Sequence, residues 1–333
     1  MISNPKKTAN ISITSGMEKI TGGKLWLAPL AGFADSTFRK ICKQNGADVA
    51  VTEMISAHGL VYENEKTESM LCFNEIERPL GIQIFGDEPK IIAQGIGKIK
   101  QFHPDFIDIN MGCPMKKVVK TGSGSALLKN VEKLYQVVLA AKSAIAKEFP
   151  LTVKIRSGWD TSENIDQIVQ AIETGGANAI IFHPRTKNEM FSGQSTWDLI
   201  AKVNQIVKIP VIGNGDINSP EDAKKMFEET GCNSIMIGRS AIGNPFLFNQ
   251  IKEYLRTGDY TEPSPQQRIS LLLSHFSEMK KTEGADRSTR IIRKYVSGYS
   301  KGLTGAKAFR QKCNFTKNET EFEKIVNDFR KEF

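Results

Sequence analysis

The stretch NMGCPMKKVVKTGSGSALL (110–128) concentrates more reactive chemistry than any other in the chain. Cys113 stands between Gly112, which permits a sharp turn, and Pro114, which stiffens it. The preceding run, FIDINMG (106–112), has the composition of a strand, so the thiol is held just past a strand end. Lys116, Lys117 and Lys120 follow. Nearby cations favour a thiolate, yet a thiol so placed can also serve as an acid. The GSGS segment (122–125) is expected to be flexible and able to close over a substrate. The other cysteines stand far apart, at 42, 72, 232 and 313, with no CxxC pair. That argues against disulfides or structural zinc, and the ordinary buried-hydrophobe role is expected for these four.

Other polar residues end apolar runs: Glu53, Gln83, Asn110, Lys154, His183, Asn214, Asp216 and Arg239. Lys154 lies between Val153 and Ile155, so strand alternation sends it to the opposite face from both. Three roles compete for it: a Schiff base with a carbonyl substrate, a donor to an anionic cofactor ring, or a structural partner of a carboxylate. His183 has no second histidine or carboxylate at ligand spacing, so no metal site is expected. A neutral imidazole donating to a cofactor carbonyl or phosphate suits the position. Asn214-Gly215-Asp216 and Gly238-Arg239 read as a phosphate cradle of backbone N–H groups plus one cation, or more plainly as tight strand-to-helix turns.

Positioning these groups falls to a repeating array. LWLAP (25–29), DVAVTEM (48–54), LGIQIFG (80–86), FIDINMG, LTVKIRSG (151–158), AIIFHPR (179–185), PVIGNGD (210–216) and SIMIGR (234–239) read as strands. Between several of them apolar residues recur at helical spacing, as in Val131, Leu134, Val137 and Val138. Strands alternating with helices must pair in parallel. Eight of them predict an α/β (β/α)8 barrel of the TIM type, whose strand C-termini share one rim. A doubly wound sheet is the alternative, but its first turn would carry G-x-G-x-x-G, and here it reads APLAGFAD. After EPSP (262–265) only helical patterns remain. The expected division is a flexible extension over 1–20, a barrel over 21–255 and a small helical domain over 260–333.

Net charge is +8, and residues 261–333 hold 15 Lys/Arg against 9 Asp/Glu, whereas 1–260 hold 30 against 28. The helical segment is therefore where an anionic partner is expected. No apolar stretch approaches the roughly 18–20 residues of a membrane span, and the first twenty residues lack a signal-peptide core. A cytoplasmic protein, not bound to membrane and monomeric, is expected.

APLAGFADSTFR (28–39), INMGCPMKKVVKTGSGSALL (109–128), VKIRSGWD (153–160), HPRT (183–186), PVIGNGDI (210–217), MIGRSAIGNP (236–245) and RKYVSGY (293–299) together resemble the tRNA-dihydrouridine synthases, most closely the bacterial B-type branch. The resemblance runs over about residues 24–315 and implies a TIM barrel that binds FMN and takes its electrons from NADPH. It implies that Pro29, Leu30 and Ala31 line the flavin through backbone, that Gln83 and Lys154 bond its polar edge, and that His183 supports it. Asn214, Gly215, Asp216, Gly238 and Arg239 would hold ribityl and phosphate, while Asn110 and Arg185 would meet the substrate base. The implied reaction passes hydride from flavin N5 to uracil C6 while Cys113 protonates C5. Pro184 departs from the family's usual small residue and removes a backbone N–H beside His183.

The implied partner is tRNA. On a helix through 286–301, Arg287, Arg290, Lys294 and Lys301 share roughly one face. Arg287, Arg290, Arg293 and Lys294 are expected to position RNA by its backbone and shape. Two rivals remain: a small-molecule FMN oxidoreductase of the dihydroorotate or pyrimidine type, which needs no basic tail, and an RNA-binding scaffold without catalysis.

Overall fold

A computed structural model describes Ile20 and residues 22–333. The expected extension over 1–20 otherwise lies outside the described residues. Ile20 itself is buried with Trp26 and Val49 in the core.

All eight expected strands form. In chain order the elements are β1 (Leu25–Leu27), α1 (Ser36–Gln44), β2 (Val49–Val51), β3 (Ile55–Ser56), α2 (Ala57–Val61), α3 (Glu65–Ser69), β4 (Leu80–Phe85), α4 (Pro89–Ile99) and β5 (Phe106–Met111). They continue with α5 (Lys116–Val119), α6 (Val131–Ile145), β6 (Leu151–Arg156), α7 (Ile165–Thr174), β7 (Ala179–His183), α8 (Asp198–Ile206), β8 (Val211–Asn214), α9 (Pro220–Thr230) and β9 (Ser234–Ile237). Every pairing is parallel, β2 pairs with β4, and β1 pairs with β9 through Trp26↔Met236, so eight strands close into a ring. The two-residue β3 adds to β4 outside that ring and had no distinct signal in the sequence. The architecture is a (β/α)8 barrel.

Strand alternation builds the interior in layers. Trp26, Phe106, Ala179, Ile181, Ile212 and Met236 fill it, with the Trp26 and Phe106 rings 5.3 Å apart. Burying a side chain such as Phe106 stabilises by about 1.5–3 kcal/mol. Farther along β5, β7 and β8 the inner face turns polar: Phe106 gives way to Asp108 and Asn110, Ile181 to His183, and Ile212 to Asn214. The barrel is thus dry at one end and chemically equipped at the other.

Four further helices follow α10 (Leu247–Thr257): α11 (Pro265–Glu283), α12 (Ala285–Tyr299), α13 (Ala306–Asn314) and α14 (Glu319–Arg330). The EPSP segment starts a helix as well as ending a loop, since Ser264 caps α11 in a capping box with Gln267 and Pro265 takes its first turn. α13 was not anticipated, and α12 stops at Tyr299, so Lys301 lies beyond it. This region packs on the barrel through α1, where Lys40 pairs with Glu278 at 2.5 Å and the Phe38 and Tyr295 rings lie 5.3 Å apart. At one point it meets the barrel backbone on backbone: a Cβ on Gly298 would lie 2.1 Å from the Ile242 carbonyl oxygen, and one on Gly243 2.6 Å from Gly298 Cα. Cys42, Cys232 and Cys313 are buried as expected, but Cys72 is exposed.

Candidate active site

A cavity of about 390 Å³ opens at the C-terminal end of the barrel, in the size range of small-molecule sites. Pro29, Leu30, Ala31, Asn110, Cys113, Lys154, His183, Asn214, Gly215, Asp216, Gly238 and Arg239 all line it.

The cysteine loop is fixed by a relay of buried side chains. Asn110 Oδ1 accepts from the backbone N–H of Gly112 at 3.2 Å and of Cys113 at 2.9 Å. Asn110 Nδ2 donates to Gln83 Oε1 at 2.9 Å, Gln83 Nε2 to Asp108 Oδ2 at 2.6 Å, and Thr152 Oγ1 to Asp108 Oδ1 at 2.5 Å. Gln83, expected at the flavin edge, is fully buried and absent from the cavity wall, and it orients Asn110 from behind that wall. The GSGS segment is also not the free lid expected. Ser123, Gly124 and Ser125 are buried, and Ser125 donates through its N–H (3.1 Å) and its hydroxyl (3.0 Å) to the Cys113 carbonyl.

Burial raises the Cys113 pKa, and this outweighs the opposing pull of the Met115 backbone N–H, Arg156 and Lys154. The thiol is therefore protonated at neutral pH, and the cations that act on it come from β6, not from the lysines that follow it in sequence. Lys154 donates to Asn214 Oδ1 at 2.8 Å, and among the described residues no carboxylate pairs with it. Burial, aided by Arg156, pushes its pKa down to about 8. His183 is pushed down to about 2 by burial and by the charges of Lys154, Arg156, Arg185 and Arg239, so it is a neutral imidazole. Its Nε2 lies 3.3 Å from Arg185 Nη1. A guanidinium can only donate, so Nε2 accepts and the ring hydrogen sits on Nδ1.

Arg185, expected to meet the substrate base, is 1% exposed and absent from the cavity wall. Its guanidinium bonds both oxygens of Asp216 (2.9 and 2.6 Å), the carbonyls of Ser192 and Gly193, and Ser195 Oγ. It clamps the loop after β7 to the turn after β8. Burial works to raise Asp216, but Arg185 and the Ser195 N–H hold its carboxyl below the ordinary value. Glu53 turns toward the Gly32 N–H and does not line the cavity either.

Arg156, Phe191, Phe33 and Met54 line the cavity without having been singled out. Arg156 was findable, since it follows Lys154 by two residues on the same strand face. Phe191 comes from a loop with no periodic signal; its half-exposed ring lies 5.4 Å from the Arg156 guanidinium and 4.9 Å from that of Arg239.

Of the four residues expected to meet RNA, Arg287 and Arg290 are exposed, Arg287 pairing with Glu283 at 2.8 Å. Arg293 instead bonds the Thr316 carbonyl. Lys294 instead reaches the Gly32 carbonyl in the barrel and lies over the Phe33 ring. Both serve the packing of α12. Among the described residues no group of three or more His, Cys, Asp or Glu is placed to hold a metal, and no helix is long and apolar enough to cross a membrane.

The family model for dihydrouridine synthase (Dus) matches residues 26–333. The chain is 37% identical over 293 residues to tRNA-dihydrouridine synthase B of Pseudomonas aeruginosa, covering 87% of this chain and 88% of that protein. It is 38% identical to the protein of the same name in Vibrio vulnificus, with 87% and 90% covered. A probable tRNA-dihydrouridine synthase of Treponema pallidum is 34% identical, with 92% and 93% covered. Among solved structures, a 2-naphthoyl-CoA reductase complex aligns with a TM-score of 0.54 at 12% identity, over 69% of this chain and 50% of that one. DHODH from Eimeria tenella aligns at 0.51 and 16% identity, over 71% and 82%. These two share the fold.

Proposed function

This chain belongs to the dihydrouridine synthase family, and from that membership we propose that it reduces uridines in tRNA to 5,6-dihydrouridine, with FMN in the barrel cavity and NADPH as reductant. The barrel over 21–255 carries the chemistry in this reading, and the helical region over 260–333 carries RNA.

The charge of the cavity and the bare backbone at Gly238 support FMN as its occupant. Lys154, Arg156 and Arg239 face it, and the carboxylate in its wall, Asp216, is already paired with Arg185. A Cβ on Gly238 would come no nearer than 3.8 Å to any neighbour, and those neighbours, Leu30 and Ala28, are wall residues. The backbone there is left bare toward the cavity, as a phosphate cradle requires. Lys154 would donate to the polar edge of the ring, and His183 would meet it as a neutral group. Pro29, Leu30 and Ala31 would pack along it, while Asn214, Gly215, Gly238 and Arg239 would hold ribityl and phosphate. When bound, FMN supplies a hydride for uracil C6, and NADPH renews it.

The residues of this chain then have defined tasks. A uridine must leave its stack to enter the cavity. Cys113 gives its proton to C5, and water restores it. Asn110 fixes the loop that aims the thiol, and Gln83 and Asp108 fix Asn110. The observation that carries this reading is the place of Cys113 in the wall of a cavity that Lys154, Arg156 and Arg239 also line. The test is to incubate the holoprotein with NADPH and tRNA lacking dihydrouridine and to map the product. Dihydrouridine at defined positions is expected. Turnover of free uracil or dihydroorotate with none on tRNA would overturn the reading.

A further inference from the structure

The three loops that follow β5, β6 and β7, consecutive strands of the ring, meet along one arc of the cavity's mouth. Residues 110–130 carry Lys116, Lys117, Lys120 and Lys129 and no carboxylate. All four are exposed. Asp87, which approaches this loop at Gly122, is already taken by Lys133 at 2.6 Å. The half-buried Trp159, after β6, holds two ammonium groups against its ring: Lys129 at 4.8 Å and Lys187, from the loop after β7, at 4.5 Å from the centroid. An aromatic ring offsets part of the repulsion between two such neighbours. The loops are also tied by backbone, Lys187 N–H to the Gly158 carbonyl at 2.8 Å and Asn188 N–H to that of Trp159 at 3.2 Å. Asp160, the nearest acid in sequence, is bonded by Asn188.

The helical region touches the barrel elsewhere, at the loop after β1, where Lys294 and Tyr295 bond Gly32 and Phe33. In the ring β1-β2-β4-β5-β6-β7-β8-β9, strands β5 to β7 lie across the mouth from β1. Positive charge therefore stands on both sides of the cavity: Arg290 on one, where Arg287 is paired with Glu283, and the lysine arc on the other. A nucleotide lowered into the cavity leaves chain on both sides of it.

We propose that the arc formed by Lys116, Lys117 and Lys120 with the Trp159-held pair Lys129 and Lys187 binds the phosphates of the single-stranded RNA flank that leaves the cavity on the side away from the helical region. This rests on the reading of the protein as a tRNA reductase. The contact is with backbone, so it carries no sequence preference and depends on salt.

The experiment compares the wild type, K116A/K117A and K147A/K208A in tRNA affinity across ionic strength, with dihydrouridine formation measured alongside. Both double variants remove two exposed charges, the second pair lying at the opposite end of the barrel, in loops that precede β6 and β8. Each single-strand phosphate contact contributes about 0.7 to the log–log salt slope, so K116A/K117A should flatten the slope by about 1.4. The K147A/K208A slope should equal that of the wild type. Equal slopes in all three, with the wild type modifying tRNA, overturn the arc alone. Equal loss in both double variants also overturns it, because net charge would then suffice. A wild type that modifies no tRNA overturns the underlying reading instead.

Discussion

Tyr295, in the middle of α12, donates its hydroxyl to the backbone carbonyl of Phe33 across 2.6 Å, joining the helical region to a loop that lines the cavity. The same hydroxyl lies 3.2 Å from Asp35 Oδ2, and Asp35 caps α1 by accepting from the Phe38 N–H at 2.9 Å. One phenol thus fixes both the cavity loop and the start of the helix behind it. Tyr295→Phe keeps the ring packing and removes only these bonds. It should cost about 1–3 kcal/mol, the usual range for a hydrogen bond whose acceptor is left unmet. Chemical denaturation measures this, and an unchanged midpoint would show the bond to be idle. Because Leu30 and Ala31 precede Phe33 in that loop, weaker FMN binding should accompany the loss.

Cys113→Ala should keep FMN and tRNA binding and lose turnover by about 10²–10⁴-fold, the usual weight of a positioned acid. Burial raises the thiol's pKa. The protonated form is the active one, so the window of activity extends upward, and the thiol's own loss of rate falls on the alkaline side of an ordinary cysteine. Single-turnover reduction of tRNA, followed across pH, checks both statements. A variant as fast as the wild type at neutral pH would remove Cys113 from the chemistry.

The barrel and most of its wall were legible because both follow from alternation. Inner and outer residues differ by one position along a strand, so Lys154 between Val153 and Ile155 had to face inward. The same rule applied once more would have found Arg156. Gln83 also faces inward, as alternation requires, yet depth along the strand decides whether an inward residue meets the cavity or underlies it. That depth is set by the stagger of strands around the ring and is not carried by any local pattern. The surroundings of Arg185 were illegible for another reason: a guanidinium satisfied by Asp216 and two carbonyls from the loop after β7 looks in sequence like one that awaits a ligand. The bonds of Arg293 and Lys294 were hidden in the same way, since a helix face rich in cations serves equally to grip RNA or to donate to carbonyls of a neighbouring element.

Lys154 offers a pH test that does not need turnover. Its ammonium is present below a pKa of about 8 and lost above it. FMN is an anion throughout, so its affinity for the apoprotein should fall as pH rises through about 8. Lys154→Arg holds its charge over that whole range and should bind FMN with no such step, whatever its absolute affinity. Titration of flavin fluorescence from pH 6.5 to 9.5 on the order of half-unit steps reads both curves. Parallel curves for the two proteins would assign the step to another group.

Gly298 sets helix propensity against tertiary fit. Within α12, glycine costs about 1 kcal/mol relative to alanine, so Gly298→Ala should stabilise the isolated helix. In the folded protein the added methyl would meet the Ile242 carbonyl oxygen at 2.1 Å and Gly243 Cα at 2.8 Å, both of them backbone. No side-chain rotation relieves such contacts. Either α12 moves off the barrel or the turn after β9 shifts, and overpacking of this kind costs typically about 1–3 kcal/mol. The same helix carries Lys294 and Tyr295, so its displacement also loosens the loop at Gly32 and Phe33. The expected result is a net loss of stability and weaker FMN binding together, read by denaturant midpoint and flavin titration. A variant more stable than the wild type would mean that helix propensity wins and that the close approach at Gly243 does not govern the docking of the helical region.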